Sequence, residues 1–455
     1  MKSKLITFLF GTLLCASTID IYGAKLTGYV DPRIGAVGEG HVFPGPSLPY
    51  GMVKIGPDCK DKDSNSGYYG DGIIHGFSHT HLNGAGGGPK YGNILVMPGK
   101  GRLNPSEYGS LRSNETAIPG YYSTQLTGFD IKAELTSTHS CGFHRYTFPK
   151  ADDAYILIDA GSFLKANHRE ETQRLVGSEI EILGNNEIQG YSRVRGGWNI
   201  GEAYTVYFYA IFDTPAIASG TWKDGKNEEG ALSQFDEGLP TGAYLKFSTE
   251  SGQQIKVKVG ISFISIGKAK ANLKKEIAHW DFDQTCLDAD TKWEELLSKV
   301  QVEGGTEDDK KIFYSSLYRI FLQPINKTGE NPKWVSNEPY YDDFFAIWDT
   351  YRATHPFISL VNETKQSDIM RGLIDIYKNE KYMPDARAGN YNGRTQGGSN
   401  CDVMVADAFV KKLKGINYEE GLASMIKNAE VPPGDDERKE VLMFVRIKIN
   451  YIIID

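Results

Sequence analysis

Tyr204-Thr205-Val206-Tyr207-Phe208-Tyr209-Ala210-Ile211-Phe212 sets Tyr204, Val206, Phe208, Ala210 and Phe212 against Thr205, Tyr207 and Tyr209. A period of two places these sets on opposite faces of an extended chain, the pattern of a half-buried strand. The pattern returns in Ile255, Val257, Val259, Ile261 and Phe263, alternating with Lys256, Lys258, Gly260 and Ser262. That run follows a Glu250-Ser251-Gly252 turn and a strand around Tyr244 to Phe247, so the two strands read as a hairpin. From about residue 25 to 267 short β-rich runs alternate with Gly-rich and Asn-rich turns, with no regular helices between them. This predicts an antiparallel β-sandwich over 25–267 rather than a sheet wound with crossover helices.

The texture changes near Gly267. Ala269 to Leu297 is charged and helix-favouring, with Trp280, Trp293, Leu296 and Leu297 as apolar anchors, and predicts a helical linker over 268–305. A brief strand is expected at Val300 to Val302. Thr306 and Asp309 then have the spacing of a capping box, with Phe313, Leu317, Ile320 and Phe321 on one helical face. A second, helical domain is expected from 306 to 440, with helices at Gln366 to Tyr377 and Asn400 to Leu413. In the last of these, Asn400 or Asp402 is the expected cap and Val403, Ala406, Val410 and Leu413 the apolar face.

With 455 residues, 40% of them apolar, the chain can bury two ordinary cores. Its net charge of −8 and evenly spread bases leave no stripe for gripping a phosphate backbone, so nucleic acid is not expected as a partner. Lys2 and Lys4 precede an apolar run from Leu5 to Leu14, with small residues at Ala16, Ser17, Gly23 and Ala24. This has the layout of a secretory signal peptide over 1–24, and a run of about 10 apolar residues falls short of the ~20 that cross a bilayer. Export is therefore expected, to the periplasm or the cell surface, with no transmembrane segment. Cys59, Cys141, Cys286 and Cys401 have neither metal-site spacing nor disulfide density, and read as four buried thiols.

Four segments concentrate polar and aromatic residues beside flexible backbone: 38–45, 76–84, 348–352 and 389–398. His79 and His81, two apart, share one side of a strand; they suit a structural pair bonding loop backbone or a contact to sugar hydroxyls, while a transition-metal site lacks a third ligand nearby. Asp349 and Arg352 are three apart and would pair on a helix. Phe344, Phe345, Ile347 and Trp348 precede them and Tyr351 lies between, which predicts partly buried charges in need of partners. An aspartate held by arginine beside the Trp348 indole forms a sugar subsite. The carboxylate accepts hydroxyl hydrogens and the ring supports the apolar sugar face. No phosphate loop and no nucleophile elbow is present.

Taken in order, Val30-Asp31-Pro32-Arg33-Ile34-Gly35, His41-Val42-Phe43-Pro44-Gly45, Gly51-Met52-Val53, Gly76-Phe77-Ser78-His79-Thr80-His81, Trp348-Asp349-Thr350-Tyr351-Arg352 and the run from Pro384 to Ala408 resemble glycoside hydrolase family 92. The likeness covers about residues 28 to 437. It implies a multidomain β + α chain: an N-terminal antiparallel β-sandwich, a helical linker, then an (α/α)6 barrel, with the active site between them. It also implies calcium-dependent removal of terminal α-linked mannose with inversion, hence mannose-containing glycans as partners and Ca2+ as cofactor. On this resemblance Asp349, Arg352, Trp348, His79 and His81 are the expected substrate-binding residues. Members carry the catalytic acid in a Gly-Asn-Glu-Pro segment and the base in Gly-Asn-Asp; neither occurs here, so no catalytic residue is assigned.

Twelve barrel helices with their loops need roughly 200 residues, more than follow Asp308. The barrel is thus expected to be incomplete and inactive, with most calcium ligands missing. Val441 to Asp455 is expected to be an aberrant apolar tail left by a frameshift or premature stop after Glu440. Two other readings stay open: a non-catalytic mannose-binding protein, and a glycosidase of another sandwich-plus-barrel family.

Overall fold

A computed structural model describes residues 25–59, 65–165, 171–393 and 398–431. The expected signal segment, the apolar tail from Val441 and the stretch Arg394 to Gly397 lie outside the described residues. Two antiparallel sheets make up the first half. One has seven strands in the order Gly56–Asp58, Gly76–Ser78, Leu95–Lys100, Ala151–Asp159, Thr241–Thr249, Ala218–Lys223 and Lys226–Glu229. The other has nine, running Ser233–Asp236, Gln173–Leu183, Glu187–Gly196, Tyr204–Phe212, Gln253–Ser262, Cys141–Phe148, Ile131–Ser137, Tyr121–Leu126 and Arg112–Ile118.

One apolar core joins the two sheets. Phe77 of the first stacks on Tyr146 of the second at 6.4 Å, and Phe212 of the second meets Phe247 of the first at 6.3 Å. The period-two residues Val206, Phe208, Ala210 and Phe212 all point into this core. The expected hairpin is a correction, however. Thr241–Thr249 pairs with Ala151–Asp159, whereas Gln253–Ser262 pairs with Tyr204–Phe212 and Cys141–Phe148. The Glu250-Ser251-Gly252 turn therefore carries the chain from one sheet to the other. Alternation encodes which face is buried, and two strands facing one core alternate alike whether or not they pair.

The linker is two helices: α1, Ile266–Glu276, and α2, Phe282–Leu297. α1 covers the outer face of the nine-stranded sheet, burying Cys141, Phe143 and Tyr209 under Ala269, Leu273 and Ile277. Lys258, on the strand face opposite the core, is consequently buried. Its ammonium donates to the carbonyls of Ile277 and His279 and lies 3.9 Å from the Trp280 ring centre. The strand expected at Val300 to Val302 is absent, and the segment is an irregular connection.

Six helices follow among the described residues: α3 Glu307–Ile320, α4 Ile347–Thr350, α5 Thr354–Val361, α6 Glu363–Glu380, α7 Asn400–Val410 and α8 Tyr418–Glu430. The capping box at Thr306 and Asp309 forms as expected and starts α3. α7 differs from expectation. Its cap is Ser399, Asn400 reaches Asp385 instead, and the buried residues are Cys401, Met404, Val405 and Ala408, while Val403 and Val410 face outward. Both faces of this helix are apolar, so periodicity alone could not choose between them. No helix among the described residues is long and apolar enough to cross a membrane. Among the described residues Cys59, Cys141, Cys286 and Cys401 are free thiols; three are buried as expected, and Cys286 is only half-buried.

Glu330 ties the helical part to the sheets. Buried in the turn after Asn326, it accepts from Ser262 Oγ at 2.6 Å, Phe263 N at 3.0 Å and Asn272 Nδ2 at 2.8 Å. Glu330→Ala strands three buried donors and is expected to cost about 3 kcal/mol or more in urea unfolding. A loss under about 1 kcal/mol would show that this brace does not matter.

Candidate functional site

Where the helical part meets the sheets, the chain buries a set of charges. Tyr341–Asp342 forms a two-stranded ladder with Ile325–Asn326 and delivers Asp342 and Asp343 to the junction, both fully shielded from water. Lys327 Nζ donates to Asp342 Oδ2 at 2.7 Å, and Arg387 Nε lies 3.3 Å from Oδ1, too poorly aligned to count as a hydrogen bond. The Asn390 backbone N–H adds a third contact to Asp342 at 2.7 Å. Burial pushes the Asp342 carboxyl up, but Lys327 and Arg387 outweigh it and hold the group below its ordinary range. Asp343 goes the other way, raised by burial and by Asp342 beside it. Its carboxylate accepts the hydroxyl hydrogen of Tyr91, from the sheet domain, and lies 3.9 Å from Lys54 Nζ. Burial lowers Lys54 and Lys90 to about 8.

Around this hub the loops are tightly determined. Arg387 bonds Glu380 at 2.8 Å, the Tyr340 hydroxyl at 3.0 Å, and Asn392. Tyr91 Oη accepts from Gly389 N at 3.0 Å. Lys90 Nζ donates to the carbonyls of Gly196 and Ile200 at 2.6 and 3.0 Å. Glu171 accepts from Gly88 N at 2.7 Å and Asn199 N at 3.1 Å. Tyr91, Asn199, Ile200, Asp343, Ala346 and Asn390 all have positive φ, a conformation disfavoured for side chains of this bulk. Such strain clusters where surrounding contacts over-determine a site.

From this base the chain runs into Trp348-Asp349-Thr350-Tyr351-Arg352. Phe345 packs edge-on against Trp198 at 4.8 Å and Ile347 is buried, which anchors the segment. The expectation of buried charges is corrected here. Asp349 and Arg352 are exposed, they form no ion pair with each other, and Trp348 is 48% exposed. Arg352 instead donates from Nε to the Tyr351 hydroxyl at 2.5 Å, its guanidinium 5.2 Å from that ring. The four-residue helix α4 turns the aromatic anchors inward and leaves Trp348, Asp349 and Arg352 outward as a shelf with free donors, acceptors and an aromatic face.

His79 and His81 are not on this shelf. His81 is buried, its Nδ1 on the Lys54 carbonyl at 2.6 Å and its Nε2 on Asp58 at 2.7 Å, and it stacks on Phe43. His79 holds the Ile94 carbonyl at 2.7 Å and faces His144 Nε2 at 3.2 Å; burial lowers it to about 4, so its ring is neutral. With every ring nitrogen taken by protein and no exposure, neither can meet a sugar, and their assignment to substrate binding is corrected to a structural one. The hub charges were not singled out from sequence. The available signal was two adjacent carboxylates flanked by aromatics in Tyr340-Tyr341-Asp342-Asp343-Phe344-Phe345.

Calcium needs six to eight oxygen ligands of net negative charge. Among the described residues no three acidic, histidine or cysteine side chains gather as a metal site. The adjacent carboxylates Asp342 and Asp343 already face Lys327, Arg387 and Lys54. Among the described residues, these paired carboxylates do not fit a calcium ion.

Asp342→Asn leaves the buried Lys327 without its paired carboxylate and Arg387 with Glu380 alone, and is expected to destabilise the chain by roughly 3–5 kcal/mol in chemical denaturation. A loss below about 1 kcal/mol would contradict the hub as described.

Comparison with known proteins extends these observations. Residues 29–262 match the glycosyl hydrolase family 92 N-terminal domain and residues 268–453 the family's catalytic domain. The family GH92 alpha-mannosidase BT3965 from Bacteroides thetaiotaomicron is similar in structure, with a TM-score of 0.82 at 29% identity, covering 91% of this chain and 57% of that one. The family GH92 inverting mannosidase BT2199 from the same organism gives 0.77 at 25% identity, covering 90% and 56%. An uncharacterized secreted glycosidase of Arthroderma benhamiae is 29% identical over 446 residues, 91% of this chain and 53% of the relative. The chain thus spans about half the length of the relatives it matches. With both domain models matched across nearly its whole length, the chain belongs to glycosyl hydrolase family 92.

Proposed function

We propose that these residues serve a glycosidase acting on terminal α-linked mannose, and that they hold the sugar on the Trp348, Asp349 and Arg352 shelf. The observation that carries this reading is the exposure of an indole, a carboxylate and a guanidinium on a segment anchored by Ile347, Phe345 and the buried hub. A carboxylate accepts two hydroxyl hydrogens, a guanidinium donates to ring or hydroxyl oxygens, and an indole covers an apolar sugar face. The family relatives described as alpha-mannosidases favour mannose, and one of them has been solved with mannoimidazole.

Inversion requires a protonated carboxyl on the leaving oxygen and a carboxylate behind the attacking water, roughly 6.5–9.5 Å apart. The 455 residues contain neither Gly-Asn-Glu-Pro nor Gly-Asn-Asp, so on this reading the residues present hold the sugar and supply neither the acid nor the base. An exported location accompanies this reading, in line with the signal-like start and the fungal relative described as secreted.

Two measurements on the purified chain test the proposal. Mannoimidazole is expected to bind, and both Trp348→Ala and Asp349→Ala to weaken it by about tenfold each, the loss of roughly 1.4 kcal/mol of stacking or hydrogen bonding. An aryl α-mannoside is expected to release no phenol. Chelator-sensitive turnover would overturn the inactive half of the proposal, and unchanged binding in both variants would overturn the shelf.

A further inference from the structure

A second cleft, about 530 Å³, opens where the sheet domain, α2 and the start of α6 meet. No residue of 343–352 or 384–393 lines it, so it is separate from the shelf. Lys292 and Glu295, three residues apart on α2, and Lys299, just past the end of that helix, wall the cleft. Despite that spacing neither lysine pairs with Glu295. Among the described residues Lys292 has no side-chain partner, and Lys299 reaches only the Val361 carbonyl at 3.3 Å. Lys365 enters from the opposite wall, donates to the Tyr341 hydroxyl at 3.1 Å and stands 5.3 Å from the Tyr50 ring centre. Burial lowers the Lys365 ammonium, and Asp368 only partly compensates. Three ammonium groups therefore border a cleft that holds one carboxylate. His139, the remaining titratable group, is turned to the Asn326 carbonyl at 2.8 Å and is lowered by burial.

The second observation is Tyr50. Tyr50 lines the cleft and is 4% exposed, and its buried hydroxyl has no hydrogen-bond partner among the described residues. A buried hydroxyl without a partner is unfavourable. Its backbone is held at φ 56°, fixed by Tyr50 N donating to the Phe321 carbonyl and Asn326 N donating to the Tyr50 carbonyl. The unused donor and the surplus of ammonium groups both call for an acceptor with negative charge. The Tyr50 ring and Leu296 give an organic body something to rest on.

We propose that this cleft is a second binding site, for an oxyanion, phosphate or carboxylate, carried on a small organic molecule of monosaccharide size. Lys292, Lys299 and Lys365 supply the charge, and the Tyr50 hydroxyl supplies a directed hydrogen bond. This inference does not rest on the mannoside reading, because the two sites share no residue.

Calorimetric titration of the whole chain with mannose 6-phosphate, glucuronate and inorganic phosphate at low salt tests it. At least one of the two charged sugars is expected to bind with Kd below about 1 mM, and the comparison between them assigns phosphate or carboxylate. The Lys292→Ala/Lys299→Ala variant changes only exposed side chains, so its thermal unfolding should match the parent, and its affinity should fall by at least about fivefold. Tyr50→Phe is expected to weaken binding with little effect on folding, and added salt to weaken it further. Binding should persist in Trp348→Ala, which separates this site from the shelf. Kd above about 1 mM for both charged sugars, or a loss below about fivefold in the double-lysine variant, overturns the proposal.

Discussion

Asp342 lies out of contact with water between Lys327 and Arg387, and one residue later Asp343 accepts a hydrogen bond from Tyr91 across the domain boundary. Removing charges from water is costly, and a buried ion pair is tolerated only when its remaining donors and acceptors are met as well. Here the Asn390 backbone, the Tyr340 hydroxyl, Glu380 and Asn392 meet most of them, while Asp342 Oδ1 and Arg387 Nε face each other at 3.3 Å without a hydrogen bond. Those partners lie on three segments of the junction, so satisfying the Asp342–Arg387 pair fixes the ladder at Tyr341, the end of α6 and the loop before α7 together. The sheet side is locked by the same logic, since Lys90 must spend its donors on the Gly196 and Ile200 carbonyls.

What this rigidity achieves is presentation. The short helix α4 leaves the hub with Ile347 buried and Phe345 against Trp198, and projects Trp348, Asp349 and Arg352 into solvent. An exposed binding group on a mobile loop would lose side-chain and backbone entropy on meeting a ligand; one held on a fixed base loses less. The non-glycine residues at positive φ in this region fit the same picture, because only dense surrounding contacts can hold Ile200 or Asp343 there.

Much of the fold could be read from residue pattern, and the misreadings share a cause. Alternation in Tyr204 to Phe212 correctly marked a core-facing strand, and Thr306 with Asp309 correctly marked the start of α3, because both signals are local. The supposed hairpin at Glu250 failed because strand partners are set by the whole sheet. Val403 and Val410 were misplaced because α7 is apolar on both sides. At the site, the motif around Trp348 was visible, but its burial was inferred from neighbours that turn the other way. The hub itself was invisible: Lys54, Lys90, Lys327 and Arg387 look like surface charges in a sequence, and only the three-dimensional meeting of segments nearly 300 residues apart makes them interior.

The buried hub welds the two-sheet domain and the helical region into one cooperative unit. Scanning calorimetry of the intact chain measures this directly. A single endotherm, with calorimetric and van't Hoff enthalpies equal, is the predicted result. Two separable transitions, one for each region, would contradict it.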